Sequence, residues 1–236
     1  GEHPLFSVDI ASGQVNKLVG GGTIGSFDIA GDALAFTRNT LHSNDQVFVT
    51  NTAADAPLRA ITPSAGEQLK DVGFGAFEQF TFAGWNGNTV HGYVVKPWNY
   101  EEGKQYPVAF LIHGGPQGSF GNAWSQRWNA QTYAGQGYAV VMIDFHGSTG
   151  YGQAFTDAIS QHWGDRPLED LTKGWAAAQE KYAFLDGDNA CALGASYGGY
   201  MINWIAGNWT DGFKCLVNHN GVFDTRSMGA VTEELW

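Results

Sequence analysis

The stretch CALGASYGGYM, residues 191–201, decides how the rest of the chain is read. It is a short apolar strand, a serine flanked by glycines, and the glycine-rich opening of a helix. Gly194-Ala195-Ser196-Tyr197-Gly198 has the Gly-x-Ser-x-Gly form of a nucleophile elbow, a tight strand-to-helix turn that lifts the serine hydroxyl clear of the sheet's carboxyl edge. Glycine suits both flanks because the turn presses backbone against backbone. The following helix aims its N-terminus at the serine and favours negative charge developing there. In a chain with 33 glycines the five letters alone are a weak signal. Their place between a strand and a helix makes it specific.

Outward from the serine, strands and helices alternate. FEQFTFAG and TVHGYVVKP flank WNGN, whose Asn86-Gly87 marks a hairpin. Then come strand YPVAFLI, a helix-like 124–135, strand YAVVMIDF, a helix at 168–184, strand CALG, a helix at 198–207 and strand FKCLVNH. That order predicts a mostly parallel sheet with helices on both faces. In the 168–184 helix, Leu168, Leu171, Trp175, Ala178 and Tyr182 form a stripe at spacings of three and four. Asp165 is read as its cap, Pro167 suits the first turn, Glu169 and Asp170 sit near the positive end, and Lys181 near the negative end. These residues read as structural.

Residues 1–72 differ in character. LFSVDI, VNKLV, SFDIA, ALAFTR, QVFVT and LRAI are six short strands separated by turn residues such as NTAADAP. The last four fit one four-stranded propeller blade and the first two the outer half of another. A blade needs neighbours to bury its faces, so the expectation is about one and a half blades at the end of a larger, N-terminally truncated β-propeller. The expected division is 1–72 for the propeller end and 73–236 for the domain carrying Ser196.

Composition removes several function classes. Twelve Lys and Arg against 23 Asp and Glu give a net charge of −11 without a basic cluster, so no nucleic-acid partner is expected. The longest apolar runs, VAFLI (108–112) and YAVVMI (138–143), fall far short of the roughly 18 residues of a membrane span. There is no His-Glu-x-x-His or Cys-x-x-Cys, and neither metal nor cofactor is expected. Cys191 and Cys215, each in an apolar strand-like segment, read as two buried thiols rather than a disulfide. Asn208-Trp209-Thr210 is a sequon, which makes Asn208 a possible glycosylation site and the one pointer to secretion. Any targeting segment lies outside the sequence, and oligomeric state is not legible.

HGGP, His113 to Pro116, follows the strand VAFLI. A loop there supplies the second backbone donor of an oxyanion hole, the first coming from the residue after the nucleophile. Gly115 and Tyr197 are the candidate donors, and Pro116 has no N–H to offer. His113, placed directly before the glycines, reads as ordering the loop by hydrogen bonding rather than as the base.

LIHGGP, FHGSTGYG (145–152), WGDRPLEDL (163–171) and GASYGGYM (194–201), following the blade pattern, resemble the prolyl oligopeptidase family of serine peptidases. Within it they are most similar to the branch of dipeptidyl peptidase 5 and acylaminoacyl peptidase. The resemblance implies an α/β hydrolase fold with Ser196 as the acylated nucleophile and the Tyr197 and Gly115 amides as its oxyanion hole. It also implies that the Tyr197 and Tyr200 side chains help wall the pocket for the residue before the scissile bond. Tyr151 lies in a matching loop, either at that pocket or as a packing aromatic. The implied activity is that of an exopeptidase releasing dipeptides from peptide N-termini. Acylaminoacyl peptidase or esterase activity is the alternative, and an inactive fragment or pseudoenzyme acting as a binding piece is the alternative of another class.

A serine needs a base, and hydrolases of this architecture order the triad Ser, acid, His along the chain. His219, the one histidine after Ser196, ends the very next strand and comes too early. Asp211 and Asp224 fail the same test. The acid and histidine are therefore expected beyond Trp236, the domain is expected to be C-terminally incomplete, and the chain is expected to be inactive alone.

Overall fold

The computed structural model describes residues 1–53, 56–62 and 69–232. Part of the turn read at 51–57 and nearly all of the terminal TEELW lie outside the described residues. The chain forms two compact units, Gly1–Phe74 with Gly121–Thr132, and Gly75–Phe120 with Tyr133–Trp236.

In the first unit, β1 (Leu5–Val8) pairs antiparallel with β2 (Val15–Val19). Strands β3 (Thr23–Ala30), β4 (Ala33–Thr40), β5 (Ser43–Asn51) and β6 (Arg59–Ala60) pair in chain order as a four-stranded antiparallel sheet. Alternation along β4 buries Leu34 and Phe36, and Phe36 stacks on Phe48 of β5 at 5.7 Å. The helix read at 124–135 shrinks to α1 (Ala130–Ala134). The residues before it are held by side-chain acceptors in place of a helical ladder. The Ser125 hydroxyl accepts from the Arg127 and Trp128 N–H groups, and Asn39 Oδ1 accepts from Trp124 N–H. Residues 121–132 belong to the first unit, whereas the sequence grouped them with the second.

The second unit holds a six-stranded sheet in the order β12-β11-β9-β10-β8-β7. Its strands are β7 (Phe77–Ala83), β8 (Thr89–Val95), β9 (Tyr106–Ile112), β10 (Ala139–Asp144), β11 (Leu185–Ala195) and β12 (Cys215–His219). Strands β10, β9, β11 and β12 run parallel, while β8 is antiparallel to both β10 and β7, so the sheet is mixed. The hairpin between β7 and β8 turns at Asn86 and Gly87, both with positive φ (54° and 70°), as the Asn-Gly pair requires. All six residues of β10 are buried, which accounts for the apolar run from 139 to 143.

The helices of this unit are α2 (Gln153–Asp157), α3 (Asp165–Lys181), α4 (Tyr197–Asn208) and α5 (Thr225–Val231). Among the described residues no helix is long and apolar enough to cross a membrane. The α3 helix buries Leu171, Trp175 and Ala178 of the expected stripe, together with Asp170. Two details differ from the sequence reading. Gly164, not Asp165, is the cap, so Asp165 sits in the first turn and pairs with His162 at 2.9 Å. Tyr182 ends the helix instead of continuing it, and its hydroxyl donates to the Glu78 carboxylate. Asp170, in the first turns of the helix, is fully buried.

The two cysteines form a disulfide, not a pair of thiols. Parallel pairing of β11 with β12 sets Cys191 directly opposite Cys215, with Cα atoms 4.6 Å apart, a separation a disulfide spans. The periodicity that hides both residues in apolar strands carries no register, and register decides the pairing.

Because β9 and β11 are parallel neighbours with Ile112 opposite Gly194, the loops leaving their carboxyl ends emerge side by side. One is HGGP and the other holds Ser196. Crevices at such strand ends are where α/β sheets place their ligands.

Candidate active site

Ser196 is exposed, with φ 56° and ψ −119°, a conformation that costs a non-glycine residue about 1–3 kcal/mol. The surroundings hold it there. Its N–H donates to the His219 carbonyl at 3.2 Å, and its carbonyl accepts from Tyr200 N–H at 3.0 Å and Val222 N–H at 3.4 Å. A Cβ on Gly194 would lie 2.3 Å from the Gly198 carbonyl oxygen, and one on Gly198 would lie 2.3 Å from the Ile112 carbonyl oxygen. Both glycines are thus required by close backbone approach, and the turn is wedged against the end of β9.

The HGGP loop lies against the nucleophile, since a Cβ on Gly114 would be 3.9 Å from Ser196 Oγ. Gly115 is exposed at φ 120°, a conformation for which glycine is suited. His113 Nδ1 is 2.7 Å from the Gly114 carbonyl oxygen and Nε2 is 2.8 Å from Ser148 Oγ. Its ring stacks on Phe145 at 4.2 Å and meets the edge of Phe120 at 5.3 Å. Burial lowers the imidazole below its usual value, so the ring is neutral near pH 7. With both nitrogens engaged away from Ser196 Oγ, this histidine orders the loop.

The loop after β10 braces HGGP from the side. Thr149 N–H donates to the Gly118 carbonyl at 2.9 Å, and Phe120 N–H donates to Asp144 Oδ1 at 2.8 Å. Tyr151 donates its hydroxyl to Asp144 Oδ2 at 2.5 Å and stacks on His91 at 4.7 Å. Burial, with the Asp144 charge second, pushes its phenol well above the ordinary range. This is the packing-aromatic role among the two readings of Tyr151.

Tyr197 and Tyr200 part company. The Tyr197 side chain is 1% exposed, donates its hydroxyl to the Trp163 carbonyl at 2.6 Å, and lies in the core, so the pocket wall expected of it is not where it points. Only its backbone stays at the site, as the first residue of α4, where N–H groups have no intrahelical acceptor. Tyr200 is half-buried and meets Trp163 at 5.5 Å and Trp204 at 6.1 Å. With these and Gln117 and Met228 it lines an open groove of about 890 Å³. Asn208 is exposed at the last residue of α4, its side-chain amide donating to the Trp204 carbonyl at 2.9 Å.

Among the described residues neither an imidazole nor a carboxylate is hydrogen-bonded to Ser196 Oγ. His219 approaches the serine through its backbone carbonyl, while its Nε2 lies 3.4 Å from Asn220 Nδ2. Asp224 caps α5 by accepting from Arg226 N–H at 3.0 Å. One buried cluster escaped the sequence reading. Asp170 Oδ2 is 2.6 Å from His146 Nδ1 and from His146 N, while Oδ1 accepts from Trp85 N–H at 2.7 Å. In the sequence Glu169 and Asp170 read alike, as acids near the positive end of the helix, and only the fold shows which one turns inward.

Comparison with known proteins gives a consistent picture. Residues 124–236 match the Prolyl oligopeptidase family. The chain is 42% identical over 221 residues to a dipeptidyl-peptidase 5 of Aspergillus fumigatus, an alignment that takes in 92% of this chain and 30% of the relative. A dipeptidyl-peptidase 5 of Schizosaccharomyces pombe is 46% identical over 162 residues, 68% of this chain and 24% of its own length. The chain thus spans about a third or less of the curated relatives it matches. Among solved structures, an acylaminoacyl peptidase in complex with Z-Gly-Gly-Phe-chloromethyl ketone superposes with a TM-score of 0.83 at 25% identity, over 94% of this chain and 35% of that one.

Proposed function

The chain belongs to the prolyl oligopeptidase family of serine peptidases, and from that premise we propose that it carries the nucleophile of an exopeptidase that releases dipeptides from peptide N-termini. The observation that carries the reading is Ser196, exposed in a strained turn with the HGGP loop against it. In the proposed mechanism Ser196 Oγ attacks the scissile carbonyl, and the Tyr197 and Gly115 N–H groups receive the oxyanion. The amine leaves with a proton and water hydrolyses the resulting ester. Tyr200, Trp163 and Trp204 give the adjoining groove an apolar wall suited to a substrate side chain.

The acid and histidine of the triad are assigned to residues outside those described, because Ser196 Oγ has no base within them. The first unit is proposed as the end of a β-propeller, about one and a half blades, a reading supported by its two- and four-stranded antiparallel sheets. By itself the 236-residue chain is expected to be inactive. A fluorophosphonate probe tests this: no labelling is expected, and stoichiometric labelling abolished by Ser196→Ala overturns the claim of inactivity.

A second reading, acylaminoacyl peptidase, is favoured by the solved structures that superpose on the chain. In the intact protein, release from a dipeptidyl ester with a free amine is compared with release from its N-acetylated counterpart. Preference for the free amine is expected, and preference for the acetylated ester moves the assignment to acylaminoacyl peptidase.

A further inference from the structure

We propose that Ser148 is a positioning residue for the oxyanion hole, acting through His113 to fix the peptide plane that carries the Gly115 N–H. The inference rests on the reading of that N–H as an oxyanion donor.

The chain of contacts begins at Gly114. Its carbonyl oxygen can only accept, so the nitrogen facing it at 2.7 Å, His113 Nδ1, carries the ring proton. Nε2 is then a bare acceptor inside the protein, and the Ser148 hydroxyl 2.8 Å away donates to it. Ser148 is fully buried and firmly held, its N–H donating to the Phe145 carbonyl at 2.9 Å and its carbonyl accepting from the Thr156 hydroxyl at 3.0 Å. It is a fixed post to which the imidazole is tied, with Phe145 and Phe120 confining the ring.

The peptide between Gly114 and Gly115 is trans, because the cis bond of this loop is the next one, Gly115–Pro116. In a planar trans peptide the C=O and N–H point in opposite directions. Holding the Gly114 carbonyl on the imidazole side therefore turns the Gly115 N–H to the other side. Two successive glycines put little torsional restraint on that plane, since each reaches conformations closed to other residues. The order that catalysis demands of a preorganised donor comes from the imidazole instead. Burial keeps the ring neutral, which preserves Nε2 as an acceptor for Ser148.

The test is nitrogen-15 NMR of the 236-residue chain, without substrate. In the unmodified protein, Nδ1 of His113 is expected to be pyrrole-type and Nε2 pyridine-type, shifted upfield by an accepted hydrogen bond. The opposite tautomer overturns the proposal without any variant. In Ser148→Ala, Nε2 is expected to move downfield. The order parameter of the Gly115 amide should fall from about 0.85 to below about 0.6 while the amides of Val108 to Leu111 hold theirs. An unchanged Gly115 order parameter overturns the proposal. Should Ser148→Ala not fold, Ser148→Cys keeps a weak donor at the same place and is expected to give intermediate values for both readouts. Neither readout uses catalysis, so failure of the peptidase reading, scored by the probe and ester assays, leaves them separately interpretable.

Discussion

The carboxylate of Asp170 meets Nδ1 of His146 at 2.6 Å with both side chains fully buried. The same carboxylate accepts the backbone N–H groups of His146 and Trp85, so one side chain on α3 ties the loop after β10 to the hairpin between β7 and β8. On the far side of the ring, Asn88 Nδ2 lies 3.1 Å from Nε2. Asp170→Asn turns an amide hydrogen toward one of these donors and removes the charge they converge on. It is expected to cost about 1–3 kcal/mol, the range for leaving a buried donor unsatisfied. Urea unfolding checks this, and a loss below about 1 kcal/mol would show the cluster to be dispensable.

Two glycines of one helix should respond in opposite directions. A Cβ on Gly198 meets backbone at 2.3 Å, which no side-chain rotation relieves, whereas Gly207, also in α4, has nothing within 4 Å of a Cβ. Gly198→Ala is expected to destabilise by more than about 2 kcal/mol through overpacking. Gly207→Ala is expected to stabilise by about 0.5–1 kcal/mol through helix propensity. Chemical denaturation of the pair measures both, and equal signs would contradict the account of the elbow.

What the sequence disclosed follows from what periodicity encodes. Ser196, the HGGP loop, the Asn86-Gly87 hairpin and the six N-terminal strands were legible because each is a local pattern: turn chemistry, alternation, or glycine at a sharp bend. The partners of those residues were not. His113 with Ser148, Asp170 with His146 and Tyr151 with Asp144 are pairings across 35, 24 and 7 residues. They depend on strand order and on which face of a helix turns inward. The mixed sheet order, with β9 between β10 and β11, brings such residues together, and no single segment states it. Residues 124–129 are not helical, and their turn is tied to Asn39, 85 residues away from Trp124, a contact that local spacing does not encode.

The disulfide makes a prediction of its own. Cys191 and Cys215, separated by 24 positions, close a loop that contains Ser196 and the whole of α4. Loop closure of this size is associated with about 3 kcal/mol of stabilisation. Reduction, or the double substitution Cys191→Ala with Cys215→Ala, is expected to lower stability by that amount. Thermal unfolding with and without reductant reads the effect, and an unchanged Tm would mean that β11 and β12 hold their register without the bond.

Backbone strain at the nucleophile should be separable from its chemistry. Ser196 sits at φ 56° and ψ −119°, where a Cβ is costly. Ser196→Gly removes the Cβ, and the strain relieved outweighs the extra freedom given to the unfolded chain. It is expected to raise stability by about 1 kcal/mol. Ser196→Ala keeps the Cβ and is expected to change stability little. If alanine stabilises as much as glycine, the gain comes from losing the hydroxyl and not from the turn.

His113 supplies the pH dependence. Burial lowers its pKa in the folded protein, while in the unfolded chain it titrates near its ordinary value of about 6.5. As pH falls through that value the unfolded state binds a proton that the native state refuses, so unfolding gains protons and stability declines. The contribution is fully present above about pH 6.5 and is lost on acidification below it. His91 is also lowered by burial and shares the window. The comparison must therefore be between the unmodified chain and His113→Gln, which cannot titrate. From pH 6.5 to 5.5 the unmodified chain is expected to lose up to about 1.4 kcal/mol more than the variant, the limit for one proton per pH unit. Urea unfolding at the two pH values decides it. Parallel slopes would mean that the imidazole takes up its proton in the folded protein as readily as in the unfolded chain, and the ring could not then serve Ser148 as a fixed acceptor.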